Sequence, residues 1–286
     1  MKAKHWYYTR RKMKKRIKLI VKIIAIIVVI IIPLRVFVGE PCQVPSSSME
    51  NTIHVADWLW INKITYGACL PRRWADIPLI NAFTWIRWLR EADEQRDWGD
   101  NRFPGFLKPK HPDLVVFRSP ENERLLLIKR LVGIPGEEIE ICDGWLKVNK
   151  HLIILPPTLL ATESGKSVSL ADFPPKTIWT IHNYGPIKVP GKHVSIILSD
   201  ENYPYLKNII EKEGNSIYKR NNTFCINGRA AISYQFKYDY YFVLGDNRSN
   251  SRDSRFFGFV AEHAIIGKVN RVLFSAQLHR LFKSLE

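Results

Sequence analysis

Acidic residues are missing from the first 22 positions, where ten lysines and arginines crowd together: Lys2, Lys4, Arg10, Arg11, Lys12, Lys14, Lys15, Arg16, Lys18 and Lys22. The one-sided charge is confined to this end. The other 33 basic residues face 27 acidic ones, so only +6 of the total +16 belongs to the rest of the chain. That distribution argues against a nucleic-acid partner, which would need cationic surface on a folded domain. Cysteine is also scarce: Cys42, Cys69, Cys142 and Cys225 include no pair at a metal-ligand spacing. None of the eight histidines has a partner at a zinc-type interval, so no structural or catalytic metal is expected. Asp246-Asn247-Arg248 departs from a calcium loop at its third position, where arginine repels the ion. Repeats and low-complexity tracts are lacking too. With 286 residues and 46% apolar content, the chain can bury a sizeable core.

The basic block runs directly into an apolar stretch. Leu19 to Val38 is interrupted only by Lys22 and Arg35, and its uncharged centre, Ile23 to Leu34, has 12 residues. Basic side chains near helix ends can reach the interface, so this stretch is expected to span a membrane. A cleavable signal peptide fits the charge but needs a small-x-small exit, which Val36-Phe37-Val38-Gly39-Glu40-Pro41 lacks. The positive-inside rule puts residues 1–18 in the cytoplasm, the anchor at 19–38, and the rest across the membrane. The four cysteines then lie where disulfides are permitted, with three complete pairings possible.

Beyond the anchor, short runs of β-branched and aromatic residues are bounded by Gly, Pro, Asn and Asp. They predict strands over Trp58–Asn62, Leu114–Arg118, Leu125–Val132, Glu137–Cys142, Trp145–Val148, Tyr240–Leu244 and Ile265–Phe274. Asp143-Gly144 predicts a hairpin turn. The expected fold is mainly β: an antiparallel, barrel-like catalytic domain formed by 39–149 and 236–286, with an inserted β subdomain at 150–235. Residues 64–110 form a tryptophan-rich insertion. Within it, Leu79, Ala82, Phe83, Ile86 and Leu89 at helical spacing predict an amphipathic helix over 79–91. Trp74, Trp85, Trp88 and Trp98 read either as rings settling at a bilayer interface or as ordinary core aromatics.

Chemistry is suggested by three separated segments: Pro45-Ser46-Ser47-Ser48-Met49, Ile128-Lys129-Arg130, and Gly245-Asp246-Asn247-Arg248-Ser249-Asn250-Ser251-Arg252-Asp253-Ser254-Arg255. A serine hydroxyl attacks a peptide bond only when a base removes its proton. A free lysine is a poor base, since roughly one in two thousand is neutral at pH 7. Burial depresses that pKa, and Leu125-Leu126-Leu127-Ile128 supplies an apolar strand from which Lys129 could project inward.

With Ser48 before Met49, and Asp57-Trp58-Leu59 downstream, the chain resembles the type I signal peptidases (leader peptidases), membrane-anchored Ser-Lys proteases. The resemblance covers the anchor, serine box, lysine box and Gly245–Gly258 box, in that order. It implies Ser48 as nucleophile, with Ser47 the easy misassignment, and Lys129 as general base. It implies the Ser46 hydroxyl and Ser48 N–H as oxyanion donors, and Ser251 as the residue orienting the lysine. Asp246, Arg248, Asp253 and Arg255 match charged positions and are expected to shape the site through ion pairs. The implied partners are signal-peptide-bearing preproteins and the lipid bilayer of a bacterial cytoplasmic membrane, with no cofactor. Small pockets are expected to select Ala-like residues at the cleavage position and the third residue before it. One departure stands out: proline is usual two residues after Met49, where this chain has Asn51, which suggests a less rigid loop.

Two other classes compete. Self-cleaving repressor-type proteins share the Ser-Lys pairing but carry a DNA-binding domain where this chain has its apolar helix. A membrane-anchored interaction module would have no need of Ser48, Lys129 and Ser251 together. A processing protease dedicated to one secretion or conjugation system would keep the chemistry and narrow the substrates.

Overall fold

The computed structural model describes residues 2–78, 85–153 and 170–285, with side chains from residue 12 onward. Helix α1 (Lys2–Ile26) continues through two π-helical stretches, Ile27–Ile31 and Leu34–Val38. The segment Lys12–Val38 is long and apolar enough to cross a membrane, and it packs against none of the protein over its most apolar window.

The body is mainly antiparallel β. Strands β1 (Gly39–Gln43), β2 (Trp58–Asn62), β3 (Leu114–Arg118), β4 (Leu126–Gly133), β14 (Tyr240–Leu244), β15 (Val260–Ala261) and β16 (Ile265–Phe274) form one open half-barrel sheet. Its order is β1-β2-β16-β3-β4-β14-β15. The uninterrupted apolar run of β3 is explained by its central place. Leu114 and Val116 pack into one core with Leu59, Ile61 and Val269, while Val115 and Phe117 pack into another with Leu131, Tyr241 and Val243. Alternation along a strand sends neighbours to opposite faces, so burial on both faces demands apolar residues throughout.

A second sheet joins β5 (Glu138–Cys142), β6 (Trp145–Val148), β7 (His151–Leu152) and β8 (Tyr184–Lys188). Asp143 and Gly144 make its first turn with φ of 49° and 83°, the paired positive values a tight hairpin requires. Beyond β8 come β9 (Ser195–Ile197), helix α3 (Tyr203–Lys212), the small sheet β10 (Ile217–Arg220), β11 (Thr223–Ile226) and β12 (Arg229–Ala230), and β13 (Ser233–Gln235), which pairs with β9. A third core unites this region with the main sheet, combining Leu206, Ile210 and Phe236 with Val132, Phe242 and Leu244. Helix α3 departs from the expectation of an all-β insertion at 150–235.

Of the helix expected over 79–91, positions 79–84 lie outside the described residues. The described helix, α2, runs Arg87–Glu94. It begins later than the periodicity implies because Ile86 is extended (φ −77°, ψ 113°). Its buried Asp93 accepts the N–H groups of Trp74 (2.9 Å) and Ala75 (3.0 Å), tying the helix to the preceding turn. Trp74, Trp85, Trp88 and Trp98 are all exposed, so none is a core aromatic. The four cysteines are free thiols.

Candidate active site

Ser46, Ser47 and Ser48 occupy the loop between β1 and β2. Its neck is closed by Val44 N–H to Asp57 O (2.9 Å) and Ala56 N–H to Val44 O (3.0 Å). Met49 is driven into the core beside Val44, Ile53 and Leu59, which fixes the turn and leaves Ser48 half-buried just before it. Ile53 N–H bonds back to Met49 O at 2.9 Å. Asn51 has φ 87°, a left-handed conformation that asparagine tolerates and proline cannot adopt. Proline could not occupy this position in the turn as it stands.

Lys129 projects from β4, where it pairs in register with Val115. Its Nζ lies 2.5 Å from Ser48 Oγ. The residue is only 2% exposed. Burial, opposed by the charges of Asp253 and Asp246, draws the amine down to about 8. Ser46 Oγ stands 3.4 Å from Ser48 Oγ. Ser47 points elsewhere, its hydroxyl accepting from Asn250 Nδ2 at 3.0 Å.

The segment from Gly245 to Arg255 folds over this pair. Asn247 holds the serine loop by two bonds, N–H to Ser48 O (3.1 Å) and Nδ2 to Ser47 O (3.2 Å). Asp253 is fully buried and accepts from Arg255 Nε (2.9 Å) and Nη2 (2.8 Å) and from Gly245 N–H (3.0 Å). Burial acts to raise its carboxyl, but Arg255, Gly245 and Lys129 hold it below the usual carboxylate value. Asp246 pairs with Arg130, from Nε at 2.9 Å and Nη2 at 2.7 Å, and accepts Thr52 Oγ1 at 2.5 Å. Arg248 is buried but lies within ion-pair distance of no carboxylate among the described residues, because Asp246 and Asp253 are engaged by other guanidiniums. Desolvation and the neighbouring Arg255 charge lower it to about 10. The buried Ser251 hydroxyl has no hydrogen-bond partner among the described residues, Lys129 included.

The structure thus brings Ser46, Ser48, Lys129, Asp246, Asp253 and Arg255 together, with Ser251 and Arg248 buried in the same segment. It adds Arg130, Thr52 and Asn247. A charged residue following Lys129 in an apolar strand was the available signal for Arg130, since a buried guanidinium demands a partner.

The signal peptidase, peptidase S26 family matches residues 17–184 and 233–274. The chain belongs to this family. It is 29% identical over 249 residues to signal peptidase I of Buchnera aphidicola subsp. Baizongia pistaciae, covering 82% of this chain and 70% of that one. Identity to signal peptidase I of Helicobacter pylori strain J99 is 27% over 248 residues, covering 85% and 77%. For Aquifex aeolicus signal peptidase I it is 26% over 269 residues, covering 87% and 80%. The crystal structure of an Enterococcus faecalis V583 signal peptidase I gives a TM-score of 0.32 at 23% identity, covering 56% of this chain and 96% of that one. Membership of the family makes the chain a serine endopeptidase that removes signal peptides, and it fits the apolar helix as a membrane anchor.

Proposed function

We propose that Ser48 is the nucleophile of signal-peptide cleavage and Lys129 its general base. The observation carrying this reading is the 2.5 Å approach of Lys129 Nζ to Ser48 Oγ at a buried lysine. With a pKa of about 8, roughly a tenth of the lysine is neutral at pH 7, about two hundredfold more than a free side chain supplies. Ser48 Oγ attacks the scissile carbonyl carbon as its proton passes to the neutral Lys129 amine. The Ser46 hydroxyl and the Ser48 N–H stabilise the developing oxyanion, a contribution of about 3 kcal/mol per donor in comparable sites. The C–N bond then breaks, Lys129 returns the proton to the departing amine, and the mature protein leaves with a new N-terminus. Lys129 next deprotonates the water that hydrolyses the Ser48 ester and frees the signal peptide.

Ser251 orients the lysine during this cycle; its buried, unpartnered hydroxyl is available for that amine. Asp246, Asp253 and Arg255 hold the surrounding backbone rather than react. Substrate selection falls on small residues at the cleavage position and the third before it. The ten basic residues keep the N-terminus cytoplasmic, the anchor crosses once, and the site faces the extracytoplasmic side, where it meets exported preproteins at the bilayer.

The test is cleavage of a signal-bearing precursor by detergent-solubilised protein, with sequencing of the new N-terminus. Ser48→Ala and Lys129→Met should be inactive and Ser47→Ala active, with cleavage after a small residue. Activity surviving Lys129→Met refutes the base. Unchanged cleavage after enlarging both substrate residues refutes the pocket assignment.

A further inference from the structure

A cavity of about 250 Å³ lies between the end of β3, helix α3 and the aromatic residues around Gly258. None of Ser46, Ser48, Lys129 and Ser251 lines it. Its apolar wall is aromatic: Phe173 stands edge-to-face with Tyr205, ring centres 5.8 Å apart, and with Phe259 at 5.3 Å, while Phe257 extends the surface. The Phe173 ring is fixed in place. Its N–H bonds to Arg255 O at 3.0 Å, and a Cβ on Gly258 would come within 2.8 Å of the ring, so the backbone packs directly against it.

The polar lining holds more cationic charge than its own carboxylates neutralise. Asp100 and Glu123 are both engaged by Arg72, at 3.4 and 2.6 Å. Lys212 Nζ donates to Pro120 O at 2.7 Å and has no carboxylate at ion-pair distance among the described residues. Arg118, its side chain only 14% exposed, reaches Asp76 alone, at 3.9 Å, the outer limit of such a contact. His263 Nδ1 is buried without a hydrogen-bond partner among the described residues. An aromatic wall beside two underpaired cations and an open imidazole nitrogen suits a ring that carries an acid: the carboxylate takes charge-assisted hydrogen bonds while the ring meets the phenylalanine edges. An inorganic anion would leave the wall wet, and a neutral hydrocarbon would leave the cations unmatched. The volume, below that of drug-sized sites, limits the occupant to one or two rings.

We propose that this cavity binds a small aromatic monocarboxylate, held by Arg118 and Lys212 against the Phe173 ring. The site is separate from Ser48 and Lys129 and takes no part in bond cleavage. It is nonetheless joined to them. Phe173 is bonded to Arg255, whose guanidinium holds Asp253, so an occupant steadies the segment that folds over the serine and lysine.

The full chain in detergent, titrated with photoreactive 4-benzoylbenzoate and with its neutral amide, provides the test. After illumination and digestion, adducts are mapped by mass spectrometry. Saturable adducts are expected on Phe173, Tyr205, Phe257 or Phe259, with the acid half-saturating at a concentration about tenfold lower than the amide, the scale of one charge-assisted hydrogen bond. Equal labelling by acid and amide overturns the proposal, as does labelling no denser here than on the detergent-covered helix Lys12–Val38. Lys212→Met and Arg118→Gln should each weaken labelling by the acid about tenfold and leave labelling by the amide unchanged. Acid labelling that survives both substitutions assigns retention to the rings alone and also overturns it. Cleavage of a short peptide by Lys212→Met at the wild-type rate verifies that its fold is intact, and the comparison of acid with amide needs no variant. In the dark, saturating 4-benzoylbenzoate should raise Tm, because a ligand of the folded state stabilises it; an unchanged Tm contradicts binding.

Discussion

Ser48 Oγ and Lys129 Nζ stand 2.5 Å apart although 81 residues separate them in the chain. Two independent packing events make the contact: Met49 seats the serine turn in one core, and the apolar flanks of β4 carry Lys129 to 2% exposure. Neither event involves the reaction, yet together they deliver the hydroxyl to an amine whose charge is penalised by burial.

The lysine's lowered pKa makes activity pH-dependent in a definite direction. Only the neutral amine accepts a proton, so kcat/KM on a short peptide should climb about tenfold per pH unit below 8 and level off above it. A profile that is flat from pH 6 to 9 would contradict the assigned base. Stability follows the same group. Its ordinary value of 10.5 falls to about 8 on folding, so the unfolded chain binds more protons between these limits and Lys129 makes stability rise with pH across that window. Lys129→Met should remove this component from the pH dependence of thermal unfolding.

Asp246→Asn should fail for a different reason from Ser48→Ala. It leaves the buried Arg130 guanidinium without its carboxylate, an uncompensated charge that costs about 3–5 kcal/mol. Thermal unfolding is therefore expected at a clearly lower temperature, with activity lost alongside. Ser48→Ala should be inactive at near wild-type Tm. Replacing both partners, Arg130→Met with Asp246→Leu, should recover part of the Tm, and no recovery would show that the pair's other hydrogen bonds dominate.

The strands were the legible part of this chain, and their partners were not. Trp58–Asn62, Leu114–Arg118, Trp145–Val148, Tyr240–Leu244 and Ile265–Phe274 begin and end where their composition says. β4 and β5 begin one residue later than expected. Alternation tells which side chains face inward, but not which residue 116 positions away they meet. So Arg130 was visible as a charge in an apolar strand while its pairing with Asp246 was not. The same limit hid the separate position of Arg248. The positive φ of Asn51, 87°, was not legible either, since asparagine is compatible with several backbone conformations. In 150–235, the helical spacing of Leu206, Ile209 and Ile210, free of proline and glycine from Tyr205 to Glu213, was the available signal for α3 and was passed over among the prolines and glycines on either side.

Arg280, near the end of the chain, secures the serine loop from behind. Buried at 3% exposure, it places Nη2 2.8 Å from Asp57 Oδ2 and 2.9 Å from Thr52 O. Thr52 in turn donates to Asp246. Arg280→Leu removes the ion-pair partner of the Asp57 carboxylate and the guanidinium bond to Thr52 O, so Tm should fall and kcat should drop with little change in KM for a short peptide. A lowered Tm with kcat intact would mean that the nucleophile's position is fixed without Arg280.

Gly245→Ala offers the sharpest steric test of how the last segment sits on the nucleophile. A Cβ there would lie 2.0 Å from Ser251 Oγ, 2.4 Å from Ser251 Cβ and 2.7 Å from Ser48 O. Rotating one hydroxyl cannot relieve this, because Ser251 Cβ and the Ser48 backbone are also in the way. The segment must lift, stretching Asn247 N–H from Ser48 O and Gly245 N–H from Asp253, and moving the serine turn against Lys129. Displacements of about 1 Å at reacting groups cost on the order of a hundredfold in rate. Gly245→Ala should therefore lose kcat on that scale, while Gly136→Ala, whose Cβ would meet nothing within 4 Å at a position with φ 89°, should show only the milder loss of stability that a left-handed alanine brings. Equal kcat losses in the two variants would show that contact with Ser48 is not what Gly245 protects.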